Sequence, residues 1–280
     1  MRRDLQGALV LGLGILILGT ASSFGWGETA DRLVTNKAVD TLPPEMQPFF
    51  YNSRQFLVQH ATNADESLST GPTATRRADF IQLDHYGQFP FLALPREYNA
   101  AIAKFNRRTL EQYGLLPWQI GLYSKKLTDA FHDHDWGQVR LSAAILAHYV
   151  NAAHDPFNTT VNLEGKLSNQ PGVNERFSTG LVDRYQLFFF VKPNEAAFIH
   201  DPTDHAFEDC LTAHSWLENV LLADRRAHEG LVDYKEDYYD RFYSLAGAIL
   251  VRQLSDASTD VGSYWMSAWI NAGRPQLPSQ

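Results

Sequence analysis

The sequence predicts an all-α protein, and three observations carry that expectation. Apolar residues recur at helical spacing in several segments: Leu141, Ile145, His148 and Ala152; Phe207, Cys210, Leu211, His214, Leu217 and Leu221; Tyr238, Phe242, Leu245 and Ile249. No run of alternating apolar and polar residues reads as a strand; only Leu187 to Val191, a short apolar stretch, fits either type. The 280 residues are 44% hydrophobic and 12% aromatic, enough to build a sizeable core and to argue against global disorder.

The elements follow in order. Arg2 and Arg3 precede an apolar run from Ala8 to Leu18, and the small residues Thr20, Ala21, Ser22, Ser23 and Gly25 come next. That is the pattern of a signal peptide over residues 1–25, with cleavage after Ser23 or Gly25, and the run is short for a membrane span. Left uncleaved, it would make the chain a membrane-tethered structural protein. Residues 31–60 read as helical, with Pro43-Pro44 starting a second helix that carries Met46, Phe49 and Phe50. Residues 61–78 are rich in Thr, Ser, Ala and Gly and read as a loop. Helices are expected over 97–113 and 118–132, split by Tyr113-Gly114-Leu115-Leu116-Pro117, and over 137–154, ended by Asp155-Pro156. A loop covers 155–173. Two helices carry the Phe207 and Tyr238 stripes, and a final one carries Val261, Tyr264, Trp265, Ala268 and Trp269. Residues 26–280 are expected to form a single helical domain without a transmembrane segment.

Composition excludes several functions. The formal net charge of −8 argues against broad nucleic-acid binding, although a metal cluster can supply positive charge locally. The lone Cys210 rules out an intrachain disulfide and a thiolate zinc cluster, and its place on an apolar helix face makes it a packing residue. With an export signal, this cysteine usage leans towards a bacterial envelope. There is no Gly-rich phosphate loop, no G-x-S-x-G and no H-E-x-x-H.

What remains is His and Asp. His148 faces inward, and by pattern alone a hydrogen-bonded core histidine is the favoured reading. His132 and His134 read as a solvated helix end. Asp201, His205 and Asp209, at i, i+4 and i+8, read as an exposed polar face in preference to a surface metal site. His214 reads as core, and residues 234–243 as half core and half surface. Asn158-Thr159-Thr160 is formally a glycosylation sequon and is discounted.

Residues 146–177, "LAHYVNAAHDPFNTTVNLEGKLSNQPGVNERF", resemble the metal-binding core of the zinc-dependent phospholipase C and S1–P1 nuclease superfamily. Residues 26–50, 76–87, 113–120 and 264–277 resemble further segments of it in the same order. The resemblance implies a helical fold and a cluster of three zinc ions held by His and acidic side chains and by the amino group and carbonyl of an N-terminal Trp. Trp26 matches that Trp if cleavage follows Gly25. Asp65 and His148 are kept in kind, and Asp31 and Asp79 stand where the family has His. Ala152, Asn158, Asn174 and Ser178 replace the remaining ligands. Amides, a hydroxyl and a methyl cannot supply the strong donors that zinc needs.

The expectation is therefore an exported protein (periplasmic, envelope or extracellular) in a non-catalytic binding or scaffold role. It would need no cofactor and would bind a phosphate-containing or lipid headgroup ligand. The alternative is a metal-dependent phosphoric-ester hydrolase, of phospholipase C or nuclease type, with a mononuclear site at Asp65, Asp79 and His148, joined by Asp31. Two or three carboxylates with one imidazole would suit Mn²⁺, Ca²⁺ or Mg²⁺ better than Zn²⁺. Without an ion, one of the clustered aspartates is expected either to be raised in pKa or to pair with Arg76 or Arg77.

Overall fold

The computed structural model describes residues 26–62 and 77–278, and among these no residue lies in a β-strand. The first helix, α1 (Glu28–Asp40), carries Glu28 and Asp31 in its first turn and Lys37 in its last, which complements the helix dipole. Pro43 and Pro44 form a turn, and α2 (Gln47–Thr62) begins three residues later than expected. The region expected to be helical over 97–113 is broken into α3 (Tyr98–Phe105) and α4 (Arg107–Tyr113). Asn106, at φ 60°, serves both helices. Its backbone N–H closes α3 on the Ile102 carbonyl (2.8 Å), and its side chain accepts from Thr109 N–H (3.0 Å). Gly114 follows at φ 97°, where a Cβ would stand 2.1 Å from the Phe80 carbonyl oxygen. Only glycine fits there.

Two helices then form the centre, α5 (Leu116–His132) and α6 (Trp136–Ala153). Asp135 caps α6 by accepting from Gln138 N–H (3.0 Å). Most of α6 is buried around its whole circumference, and Ala143, Ala144, Ala147, Ala152 and Ala153 let neighbours approach closely. The helices α1, α2 and α5 pack on it, as do α7 (Pro202–Ser215) and α9 (Glu236–Asn271). The Phe207 stripe does not run through one helix: the backbone turns at Trp216, and α8 (Leu217–His228) starts there. Conversely, the two helices expected at the C-terminal end are one 36-residue helix, α9. Trp265 of α9 stacks on Phe50 of α2 with ring centroids 4.8 Å apart, and its indole N–H donates to the Ala143 carbonyl of α6 (3.0 Å). Gly262 lets α9 pass the end of α1, since a Cβ there would meet Thr41 Oγ1 at 1.9 Å.

The polar interval that made α9 look like two helices has a structural use. Ser255, Thr259, Ser263 and Ser267 stand one turn apart on a single face. Their hydroxyls accept the backbone N–H groups of Lys192, Asn194, Ala197 and Ile199, at 3.1, 3.0, 2.9 and 2.7 Å. An extended segment rises about 6–7 Å per two residues and a helix 6 Å per four, so the two keep approximate step. This ladder satisfies an extended chain that has no strand beside it. Leu187 to Val191 enters it: a 3₁₀ turn at Gln186–Phe188, then extended backbone.

Candidate functional site

The residues matched to family ligands fall into two neighbouring networks. Asp31 lies on the first turns of α1, and His148 on α6, which packs against it. Asp79 sits in the segment before the Leu83–Tyr86 3₁₀ turn. That segment is tied down by Ile81 N–H donating to the Asn158 carbonyl (2.8 Å) and Leu115 N–H donating to the Arg77 carbonyl (2.8 Å). The imidazole of His148 stands between the two carboxylates. Nδ1 lies 3.2 Å from Asp31 Oδ2, and Nε2 lies 3.4 Å from Asp79 Oδ1. The other oxygen of Asp31 accepts from Asn151 Nδ2 at 2.6 Å. Burial alone would disfavour the charged ring. The Asp31 charge and the hydrogen bonds to Asp31 and Asp79 outweigh it and hold His148 well above its ordinary value. Both ring nitrogens of His148 are thus directed at carboxylates, an arrangement that favours the imidazolium.

The second network contains the substituted positions. Ala152, one turn beyond His148, presents a buried methyl group. The Asn158 amide donates to the Ala152 carbonyl (3.0 Å). Asn174 and Ser178 flank the start of a π-helical segment, Glu175–Leu181. Ser178 Oγ donates to Asp155 Oδ2 (2.7 Å) and lies 3.0 Å from Asn174 Oδ1. Burial pushes Asp155 up to about 6, against the lowering effect of the Ser178 hydroxyl and the Phe157 N–H. Trp26 is buried against Phe177, with ring centroids 5.8 Å apart. Asp65 and Arg76 lie outside the described residues. Arg77 pairs with Glu111 (3.7 Å), and among the described residues the group that faces both aspartates is His148.

The other polar residues divide. His132 and His134 are exposed, and Cys210 is a buried free thiol. His214 is half-buried, with Nδ1 3.0 Å from Thr159 Oγ1, and burial lowers its pKa. Asn158 is fully buried, as are both threonines after it. The reading of Asp201, His205 and Asp209 as one exposed face requires correction. Asp201 is the cap of α7, accepting from the N–H groups of Thr203 and Asp204. His205 is half-buried and Asp209 is buried. Both turn towards His154, at the C-terminal end of α6, and Asp260 of α9. Burial drives Asp209 up, aided by the Asp260 charge. For Asp260 burial acts upward too, but the hydrogen bonds to His154 and His205 bring it down. Burial likewise opposes charge on His154, yet the Asp260 hydrogen bond and the carboxylate charges raise it to about 9. The i, i+4 spacing of His205 and Asp209 was the one sign of this cluster in the sequence. A separate pocket of about 570 Å³, lined by Tyr98, Leu115, Trp118 and Leu122 with Arg96 and Asp201, includes none of the family-equivalent positions.

No protein-family model matches the chain, and no curated protein matches its sequence. Among solved structures, the fold is similar to that of Clostridium perfringens alpha-toxin isolated from an avian strain. The TM-score is 0.53 at 12% identity, over 86% of this chain and 63% of that one. This chain therefore matches less than two thirds of the alpha-toxin chain, and at this identity the likeness is one of fold.

Proposed function

We propose that this chain is an exported, non-catalytic binding or scaffold protein built on the helical fold of the zinc-dependent phospholipases C. One observation carries the reading: His148 uses a different ring nitrogen for each aspartate. The two nitrogens point away from each other, so Asp31 and Asp79 cannot share one ion with His148 through these atoms. The imidazolium itself supplies the positive charge between them. The second network supports the same conclusion through its donor set. A methyl at Ala152, a neutral amide oxygen at Asn158 and a hydroxyl spent on Asp155 do not suit a zinc cluster, which needs imidazole, thiolate or carboxylate donors. Export rests on the sequence pattern of residues 1–25, which lie outside the described residues.

The proposed ligand is a phospholipid headgroup at a bilayer surface. Leu187, Phe188 and Phe190 are 91%, 74% and 80% exposed within one short stretch, and exposed Arg184 and Lys192 flank it. Apolar side chains beside cations suit the boundary between acyl chains and phosphates.

The reading is tested by assaying the full chain on phosphatidylcholine and on single-stranded nucleic acid, with added zinc or manganese. The expected result is no turnover above buffer. Turnover that disappears both in His148→Gln and on chelation would establish the mononuclear hydrolase instead.

A further inference from the structure

His154, His205, Asp209 and Asp260 come from three elements that the chain brings together at one end of the helical core. His154 ends α6, His205 and Asp209 are one turn apart on α7, and Asp260 lies two thirds of the way along α9. One ligand atom from each of His154, Asp209 and Asp260 falls within 4.8 Å of the others. The distances decide what the cluster is suited to. His154 Nε2 is 3.0 Å from Asp260 Oδ2, His205 Nε2 is 3.3 Å from Asp260 Oδ1, and His205 Nε2 is 3.6 Å from Asp209 Oδ1. Charge-assisted hydrogen bonds close to about 2.7–2.9 Å, so two of these three are long. A tetrahedral ion with bonds of about 2.05 Å holds its ligand atoms about 3.3–3.4 Å apart, and the three separations lie near that edge, with His154 and His205 on different oxygens of Asp260.

The atoms behind the cluster are also in order. His154 Nδ1 is 2.9 Å from the Val150 carbonyl, which can only accept, so Nδ1 carries the proton and Nε2 faces the carboxylates. Asp209 Oδ2 lies 3.4 Å from the Tyr264 hydroxyl, which is shared with the Pro202 carbonyl (3.1 Å), and Oδ1 faces His205. A carbonyl orienting a ligand histidine and a hydroxyl orienting a ligand carboxylate are the supports that metal sites use. Once the ion displaces the Nε2 protons to solvent, two carboxylates with two neutral imidazoles carry the charge that one divalent cation balances. The His154 and Asp209 side chains are 4% and 8% exposed, whereas that of His205 is 37% exposed, so the cluster is closed on the core side and reachable past His205.

We propose that His154, His205, Asp209 and Asp260 form a structural site for one divalent transition-metal ion of the zinc class, joining the end of α6 to α7 and α9. His154, Asp209 and Asp260 offer ligand atoms within 4.8 Å of one another, and His205 at the exposed edge supplies a fourth on binding, so the ion staples three helices together. It is separate from the Asp31–His148–Asp79 network and does not depend on how that network is read.

The test is titration of the metal-stripped full chain with Co²⁺ and Zn²⁺, read by the visible absorption of tetrahedral cobalt and by elemental analysis after gel filtration. One ion per chain is expected, with intense visible bands and a raised Tm. His205→Gln, at the exposed edge, should weaken binding at least tenfold with an unchanged circular dichroism spectrum. Asp260→Asn should do the same, and His132→Gln, at an exposed histidine outside the cluster, should leave binding within twofold. Absence of stoichiometric binding overturns the proposal, since the cluster is then two imidazolium–carboxylate pairs. So does binding that falls less than tenfold in His205→Gln, or binding that His132→Gln removes.

Discussion

Replacing His148 by glutamine should destabilise the protein far more than loss of an ordinary polar contact. The side chains of Asp31 and Asp79 are 6% and 8% exposed, and that of His148 is 19% exposed. Water is therefore poorly placed to take over when the cation is removed. Taking one partner from a buried ion pair costs about 3–5 kcal/mol, because the remaining charge is left uncompensated. Here Asn151 still donates to Asp31 (2.6 Å), which softens the loss. The expected cost is about 3 kcal/mol, near the lower bound of that range. With an m-value of about 3 kcal/mol/M for a chain of this size, the urea midpoint should fall by about 1 M at pH 7. Asp79→Asn combined with His148→Gln should recover part of the loss, giving a coupling energy of about 1 kcal/mol or more. The pH dependence has a definite sign. His148 is raised above its unfolded value of about 6.5, so its stabilisation is fully present below that value. It is lost only as pH rises through the higher folded value. The gap between wild type and His148→Gln should thus persist at neutrality and narrow in alkali. A midpoint shift under about 0.3 M at pH 7, with no coupling to Asp79, would refute the charge-replacement argument.

Three other perturbations follow from the same structure. Ser263→Ala with Ser267→Ala leaves the Ala197 and Ile199 N–H groups without their acceptors, at about 1–2 kcal/mol each; faster hydrogen exchange at those two amides should accompany the loss. Arg176→Met removes a guanidinium that donates to Asp224 at 2.8 Å, with Asp224 only 1% exposed, and should cost about 3 kcal/mol by denaturant melt, although Tyr238 and Gln170 still donate to that carboxylate. Phe188→Ser with Phe190→Ser should leave the melting curve within about 0.5 kcal/mol but weaken sedimentation with phosphatidylcholine vesicles by about tenfold or more, since each buried Phe contributes about 2 kcal/mol.

How much of the fold could be read depended on how far each signal reaches along the chain. The helices α5 and α6 were legible because their periodicity is local and their ends carry a Pro or a cap. The break at Asn106 was not, because it depends on one residue adopting positive φ and capping two helices at once. The continuity of α9 was hidden by the polar stretch Ser255 to Asp260 between two apolar stripes, whose hydroxyls find their use only when the 192–199 segment is laid along them.

The candidate site divides along the same line. Composition and spacing by themselves determined an all-α chain, a packing cysteine and a net charge of −8, because these depend on counts and on neighbours within two helical turns. Resemblance to a family located Asp31, Asp79 and His148. Only the tertiary structure decided that the imidazole lies between the carboxylates with one nitrogen for each, a relation between residues 117 and 69 positions apart. It alone brought His154 to Asp260 across 106 positions. Whether such groups share an ion or pair with each other depends on distances of a few tenths of an ångström, and those are set by how α1, α6, α7 and α9 pack rather than by the order of residues in any one of them.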